Sequence, residues 1–242
     1  MSQVDTESTA SGAAPMGLAA RLFNVVLAPR QAYEAVAARP RAFGALAVVL
    51  VVMIGAQFSF LSTKVGQDAA IEQQLSTMKS LGVNVTEQMA QQMEAGAGRA
   101  PYFSAVSLLI FVPVVVAAEA GLLLAIFTVV AGGGATFKQL FAVVAHSAVI
   151  GALAQVFSFP IMYMQGQMSS PTRLAVFFPM LSDMGFAYYL LAAIDLFYIW
   201  SCINVAIGLG VLYGRRTGPI ATLLLGIYAV IALIIATVRT FA

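Results

Sequence analysis

The chain has 242 residues, 61% of them apolar and only 9% charged, with a mean hydropathy of +0.92. Soluble domains carry roughly 25% charged residues, so an ordinary water-soluble enzyme is excluded and a small polytopic membrane protein is expected. Twelve Lys/Arg against ten Asp/Glu leave a formal net charge of +2. No basic stripe is interleaved with aromatics, so nucleic acid is not an expected partner. One cysteine, Cys202, precludes an intrachain disulfide, and with one histidine, His146, the chain lacks the ligands of an ordinary structural zinc site. The phosphate-loop, zinc-protease, nucleophile-elbow and dinucleotide-binding motifs are absent. The reading is non-enzymatic, with no cofactor.

Residues 1–16 are polar and rich in small residues, the composition of a disordered tail. They lack the basic start and apolar core of a secretory signal, so the first apolar run is expected to be a retained span. Over residues 17–41, Leu18, Leu22, Val25 or Val26, Tyr33 and Val36 recur at helical spacing, with Arg21, Arg30, Gln31 and Glu34 opposite them. Pro29 divides this amphipathic stretch into two short helices. Directly before a span, such a pair suits a place in the membrane interface, or else a seat on the cytosolic face of the bundle.

Apolar runs of membrane-spanning length place five spans within 42–242, at about 43–61, 104–131, 140–164, 185–213 and 219–240. Between the first two, residues 62–103 carry apolar stripes at Ile71, Leu75 and Met78 and at Val85, Met89 and Met93, separated by Gly82. That spacing predicts an outer helical hairpin. Residues 165–184 form a mixed loop, within which Leu174–Leu181 is too short to span and is expected to dip into the interface.

Loop charge sets the orientation. With the N-terminus inside, the inner segments hold Arg21, Arg30, Arg39, Arg41, Lys138, Arg215 and Arg216, and the outer ones Lys64, Lys79, Arg99, Arg173 and Arg239. The Arg39/Arg41 and Arg215/Arg216 pairs sit at span ends, which favours a cytoplasmic N-terminus and a C-terminus outside.

Several short motifs recur in a familiar order. They are Leu27-Ala28-Pro29-Arg30 with Tyr33 and Arg39-Pro40, then Gly133-Gly134-Ala135-Thr136-Phe137-Lys138-Gln139, then Ala142-Val143-Val144-Ala145-His146-Ser147, and finally Tyr198-Ile199-Trp200 leading to Ile207-Gly208. In this order, across about 17–240, the chain resembles the Ypt-interacting-protein (Yip-one domain) membrane protein family in the form common among bacteria. The resemblance implies five spans, a cytosolic N-terminus, a C-terminus across the membrane and a setting in a bacterial inner membrane. Eukaryotic members bind Rab-type GTPases, but their long acidic N-domain with its acidic-aromatic-Gly-Pro signature is missing, so GTPase binding is not expected here.

Three ionisable residues fall inside expected spans: Glu119, His146 and Asp195. Such residues usually face a bundle interior and find partners. Counted along their helices they lie within roughly 6–15 Å of one another in depth. An intramembrane polar cluster is therefore possible, extended by Gln155, Tyr198 and Asn204, with Tyr189 and Ser201 nearby. It reads either as a proton or ion relay or as interhelical hydrogen bonding that fixes the bundle. Small residues at four-residue spacing, ending in Gly121, Gly151 and Gly210, predict close helix packing. Eight of 11 methionines lie toward the outer side. Met162, Met164 and Met168 could supply soft ligands for copper(I), although methionine also makes adaptable partner-binding surfaces.

The favoured reading is an all-α, five-span scaffold or accessory subunit that organises membrane partners or bilayer shape. Its partners would be the lipid bilayer and a membrane protein or a second copy of itself. The competing reading is a proton- or ion-coupled permeation protein working through Glu119, His146 and Asp195.

Overall fold

A computed structural model describes residues 16–80, 82–181 and 185–241; apart from Met16, the tail expected to be disordered lies outside them. Helix α1 (Leu18–Leu27) ends where the Ala28 N–H bonds Asn24 O, and Pro29 opens α2 (Pro29–Ala38). At the first helical position the N–H that proline lacks would have no intrahelical partner anyway. Arg21 ties the pair together, donating from Nε to Met16 O and from a terminal nitrogen to Arg39 O. Val25, Ala32, Tyr33 and Val36 are fully buried. The pair packs against the helix bundle through these residues, while Phe23 and Leu27, each 65% exposed, face away from it. One face of the N-terminal stretch thus belongs to the protein core; the other is apolar on α1, through Phe23 and Leu27, and polar on α2, through Arg30, Gln31 and Glu34.

Among the described residues, four helical stretches are long and apolar enough to cross a membrane: Ala42–Leu61, Glu87–Val129, Phe137–Gln165 and Thr217–Phe241. The first is α3 (Ala42–Leu61), which turns into the hairpin of α4 (Lys64–Ser80) and α5 (Glu87–Gly96). Thr86 caps α5 by accepting the Met89 N–H. A single 3-10 turn leads from α5 into α6 (Ala100–Ala131), which therefore begins before the expected residue 104. Gly132, at φ 58°, ends α6 in the left-handed conformation. Thr136 and Gln139 then form a reciprocal capping box that starts α7 (Phe137–Gln165). That box satisfies two backbone N–H groups at the point where the chain turns back.

The expected single span over 185–213 is corrected. It is two helices, α8 (Phe186–Ala192) and α9 (Leu196–Leu212), separated by Ala193, Ile194 and Asp195. The interruption is stitched by the preceding loop. Leu174 N–H donates to Ile194 O at 2.9 Å and Leu196 N–H to Thr172 O at 3.1 Å. These bonds flank the Arg173–Asp195 antiparallel bridge. Irregular backbone at membrane depth persists only where neighbouring groups satisfy it, and here the crossover loop and α10 (Thr217–Phe241) do so. Among the described residues there is no β-strand.

Helix α7 is the axis of the bundle. It packs on α3 and α6 on one flank and on α9 on the other; α9 then packs on α10, and α10 on α8. The main core lies at the end nearest the N-terminal helices and includes Tyr33, Leu46, Leu123, Leu140, Val143, Ile150 and Leu209. A second cluster at the far end joins Phe60, Leu61, Ala69 and Met162.

The close approach of α7, α9 and Tyr33 depends on Gly208. A Cβ there would overlap Val143 and press on the Tyr33 ring. The expected packing glycines behave otherwise: a Cβ at Gly121 or Gly151 would meet nothing within 4 Å, and Gly210 instead abuts Arg215 O and Thr217 at the turn into α10. Four-residue spacing reports helical register but not which face of a helix meets a neighbour. Overpacking a core typically costs about 1–3 kcal/mol, so Gly208→Val is expected to lower the thermal unfolding midpoint in detergent by several degrees, while Gly121→Ala leaves it unchanged.

Candidate functional site: a cleft beside an interrupted helix

The cleft follows from the way α7 is shared. Because α6 and α9 lean against different flanks of α7, a half-open cavity of about 790 Å³ remains between them. Its floor is α7 through Val144, Ser147, Ala148 and Gly151; one wall is α6 from Leu108 to Glu119, and the other is α9 and α10. The apolar side chains of α6 dominate one wall, whereas Ser170, Asp195, Tyr198, Ser201 and Tyr228 bring polar groups to the other.

Asp195 caps α9. One carboxylate oxygen accepts the Phe197 N–H at 2.9 Å, and the other accepts the hydroxyls of Ser170 and Thr172, each at 2.7 Å. The Tyr228 hydroxyl bridges the break, donating to Ala193 O and accepting the Asp195 N–H, both at 2.9 Å. Its ring lies 4.6 Å from that of Tyr198. Asp195 is thus a structural clasp between the crossover loop and α9, with both oxygens in use. Ser170, Thr172 and Tyr228 escaped the sequence reading because none is near Asp195 in the chain. The signal that could have found the break was an aspartate, a good helix N-cap, inside an otherwise apolar run.

Of the three ionisable residues expected to cluster, Glu119 and Asp195 line the cleft and His146 does not. His146 is fully buried near Arg21, with Nδ1 at 2.7 Å from Ala142 O and Nε2 without a partner among the described residues. Successive helical residues turn by about 100°, so the face of α7 that carries Ser147, Ala148 and Gly151 turns His146 away from the cleft. Matching depth along separate helices did not specify azimuth. The proposed extension divides in the same way. Tyr198 lines the cleft. Gln155 instead donates to Gln57 of α3 at 2.9 Å, an interhelical pair outside the cleft.

Asn204 belongs to a second polar site, where the N-terminal helices dock. The Tyr33 hydroxyl lies 2.6 Å from Ser147 Oγ and 3.4 Å from the Asn204 side chain. With its amide turned to suit its neighbours, Asn204 donates to Val25 O at 2.9 Å and accepts from the Trp200 indole N–H at 3.0 Å. Four elements (α1, α2, α7 and α9) thus meet at one buried network. Burial pushes the Tyr33 hydroxyl above its ordinary range, opposed in part by the bond to Ser147; it stays protonated and able to donate. Desolvation, followed by the nearby Arg41 and Arg39, lowers the pKa of the Arg21 guanidinium, which its carbonyl partners hold in place.

The three methionines considered for copper are not assembled. Met162 is buried in the far cluster with Met168 against it, whereas Met164 is 86% exposed. Among the described residues no group of three or more His, Cys, Asp or Glu is placed to hold a metal ion.

The family model for the Yip1 domain matches residues 23–239. The chain belongs to the Yip1 domain family. Comparison with curated proteins and with solved structures gave no match. The matched stretch begins within α1 and runs to the last turns of α10, so the docked N-terminal helices are part of the Yip1 domain and not an appendage to it.

Two expected outcomes test this geometry. Removing one partner from a buried hydrogen bond costs about 1–3 kcal/mol; Tyr33→Phe should therefore loosen α1 and α2, seen as faster amide exchange over residues 18–38. The neutral phenol is the form favoured in the fold, so stability from Tyr33 is complete below the ordinary tyrosine pKa of about 10 and falls as pH rises beyond it. Tyr33→Phe should make the alkaline fall of the unfolding midpoint shallower than in the wild type. Asp195→Leu leaves the Phe197 N–H and two hydroxyls without an acceptor, and is expected to speed exchange at the Leu174 and Leu196 amides, with Asp195→Asn intermediate.

Proposed function

We propose that this Yip1 domain protein is a non-enzymatic membrane scaffold or accessory subunit, set in a bacterial inner membrane with its N-terminal helices on the cytoplasmic face and its C-terminus outside. The observation that carries the reading is the placement of the intramembrane ionisable groups. His146 is walled into the core and turned away from the cleft. Asp195 is fully occupied as a helix cap. A proton or ion relay needs groups that face a common path and can change partners, and this arrangement favours hydrogen bonds that hold elements together.

The surfaces left for work are external. The docked pair α1–α2 presents Phe23 and Leu27 as an apolar edge backed by a rigid network. An amphipathic element in that position buries its apolar face at the headgroup boundary, and so can read or bias bilayer shape. The α4–α5 hairpin, which carries Met78, Met89 and Met93, offers an adaptable contact for a protein partner at the opposite face.

Reconstitution into liposomes tests the reading against permeation. Wild type and Glu119→Gln are expected to give the same proton and cation flux as empty liposomes, and a stoichiometric membrane partner is expected to co-purify in mild detergent. Flux in the wild type that Glu119→Gln abolishes, with the fold intact by circular dichroism, would make the protein a permeation protein instead.

A further inference from the structure

The cleft has a polarity that the scaffold reading does not use. Two cations border it: Arg239, in the last turn of α10, and Arg173, in the crossover loop. Both are exposed, and neither makes an ion pair among the described residues. Asp195, paired with Arg173 in the antiparallel bridge, has both oxygens engaged by the Phe197 N–H and the hydroxyls of Ser170 and Thr172. Its charge is thus already shared among three donors.

Deeper in, the wall turns apolar. Leu108, Phe111, Val112 and Val115 of α6 face the cleft, with Ile235 of α10 on the other side, until Glu119 closes the run. From Leu108 to Glu119 the helix rises by about 16 Å. Its volume of about 790 Å³ lies within the roughly 300–1,000 Å³ of ordinary ligand sites. Cationic groups at the mouth and an apolar trough beyond them match an amphiphile with an anionic head and an acyl tail.

We propose that the cleft binds one anionic phospholipid from the far leaflet, its phosphate between Arg173 and Arg239 and an acyl chain along α6. Guanidinium groups suit phosphate because they can donate two parallel hydrogen bonds. On the polar wall the hydroxyls of Ser170 and Tyr228 are committed to Asp195 and Ala193, and Tyr189, which also lines the cleft, is the hydroxyl offered to the glycerol region. An arginine at a helix end can also simply extend its head group to the interface. What argues for a seated lipid is that both arginines border one cleft whose inner wall is apolar. The inference stands apart from the scaffold reading, since a seated lipid is compatible with either function.

The test uses the full chain, purified in detergent and stripped of native lipid. It is titrated with phosphatidylglycerol, with phosphatidylcholine of the same chains, and with inorganic phosphate, while thermal unfolding and native mass spectrometry are followed. Phosphatidylglycerol is expected to raise the unfolding midpoint and leave a single adduct. Arg173→Gln with Arg239→Gln should weaken that binding at least about tenfold, the scale of one lost charge-assisted bond. Arg239→Gln alone, at an exposed helix end, serves if the double variant does not fold. Val115→Trp, which fills the trough, should abolish the adduct while the protein stays folded. Equal binding of the two lipids, or an adduct that survives the arginine changes, would overturn recognition of the anionic head. Inorganic phosphate stabilising as well as the lipid would overturn the acyl seat.

Discussion

Away from water, every backbone N–H and C=O that a helix does not satisfy must find another partner, and this chain meets that demand at one place on which much else depends. Three residues, Ala193 to Asp195, leave the helical ladder. The Asp195 carboxylate, itself held by Ser170 and Thr172, the Tyr228 hydroxyl and the backbone of Thr172 and Leu174 replace the missing bonds. Closing the break in this way anchors the crossover loop to α9 and α10 to α9. It also places the polar wall of the cleft opposite the apolar wall of α6.

The second shared dependence is α7, whose faces serve different ends. Ser147 holds the Tyr33 network that docks the N-terminal helices and also borders the cleft. Further along α7, Gln155 pairs with Gln57 of α3, and one turn before Ser147, Val143 packs where Gly208 lets α9 approach. The docked helices and the cleft are thus coupled through one rigid element, separated by about a helix diameter. In a dry interior a hydrogen-bonded polar network specifies one arrangement of elements, and the Tyr33–Ser147–Asn204 network joins four of them here.

Membership of the Yip1 domain family fixes the architecture in which these parts sit. The three groups able to carry protons are not gathered at one point: His146 is in the core, while Glu119 and Asp195 border the cleft, Asp195 as a helix cap.

Sequence alone determined the class of protein, because apolar runs long enough to cross a bilayer are a direct consequence of solvent and need no tertiary information. The all-α character, the helices around 43–61, 140–164 and 219–240, the division of the N-terminal stretch at Pro29 and the helical hairpin over 62–103 were legible in this way. What the sequence could not supply was azimuth. Glu119, His146 and Asp195 were expected within roughly 6–15 Å of one another in depth, yet the rotation of α7 takes His146 out of the cleft. Gly121 and Gly151 have the spacing of packing residues but face open space, while Gly208 makes the contact. The interruption at Asp195 escaped notice because the run around it is apolar throughout. The energy that opens the helix there comes from partners 23 to 33 residues away, which only the folded chain brings together.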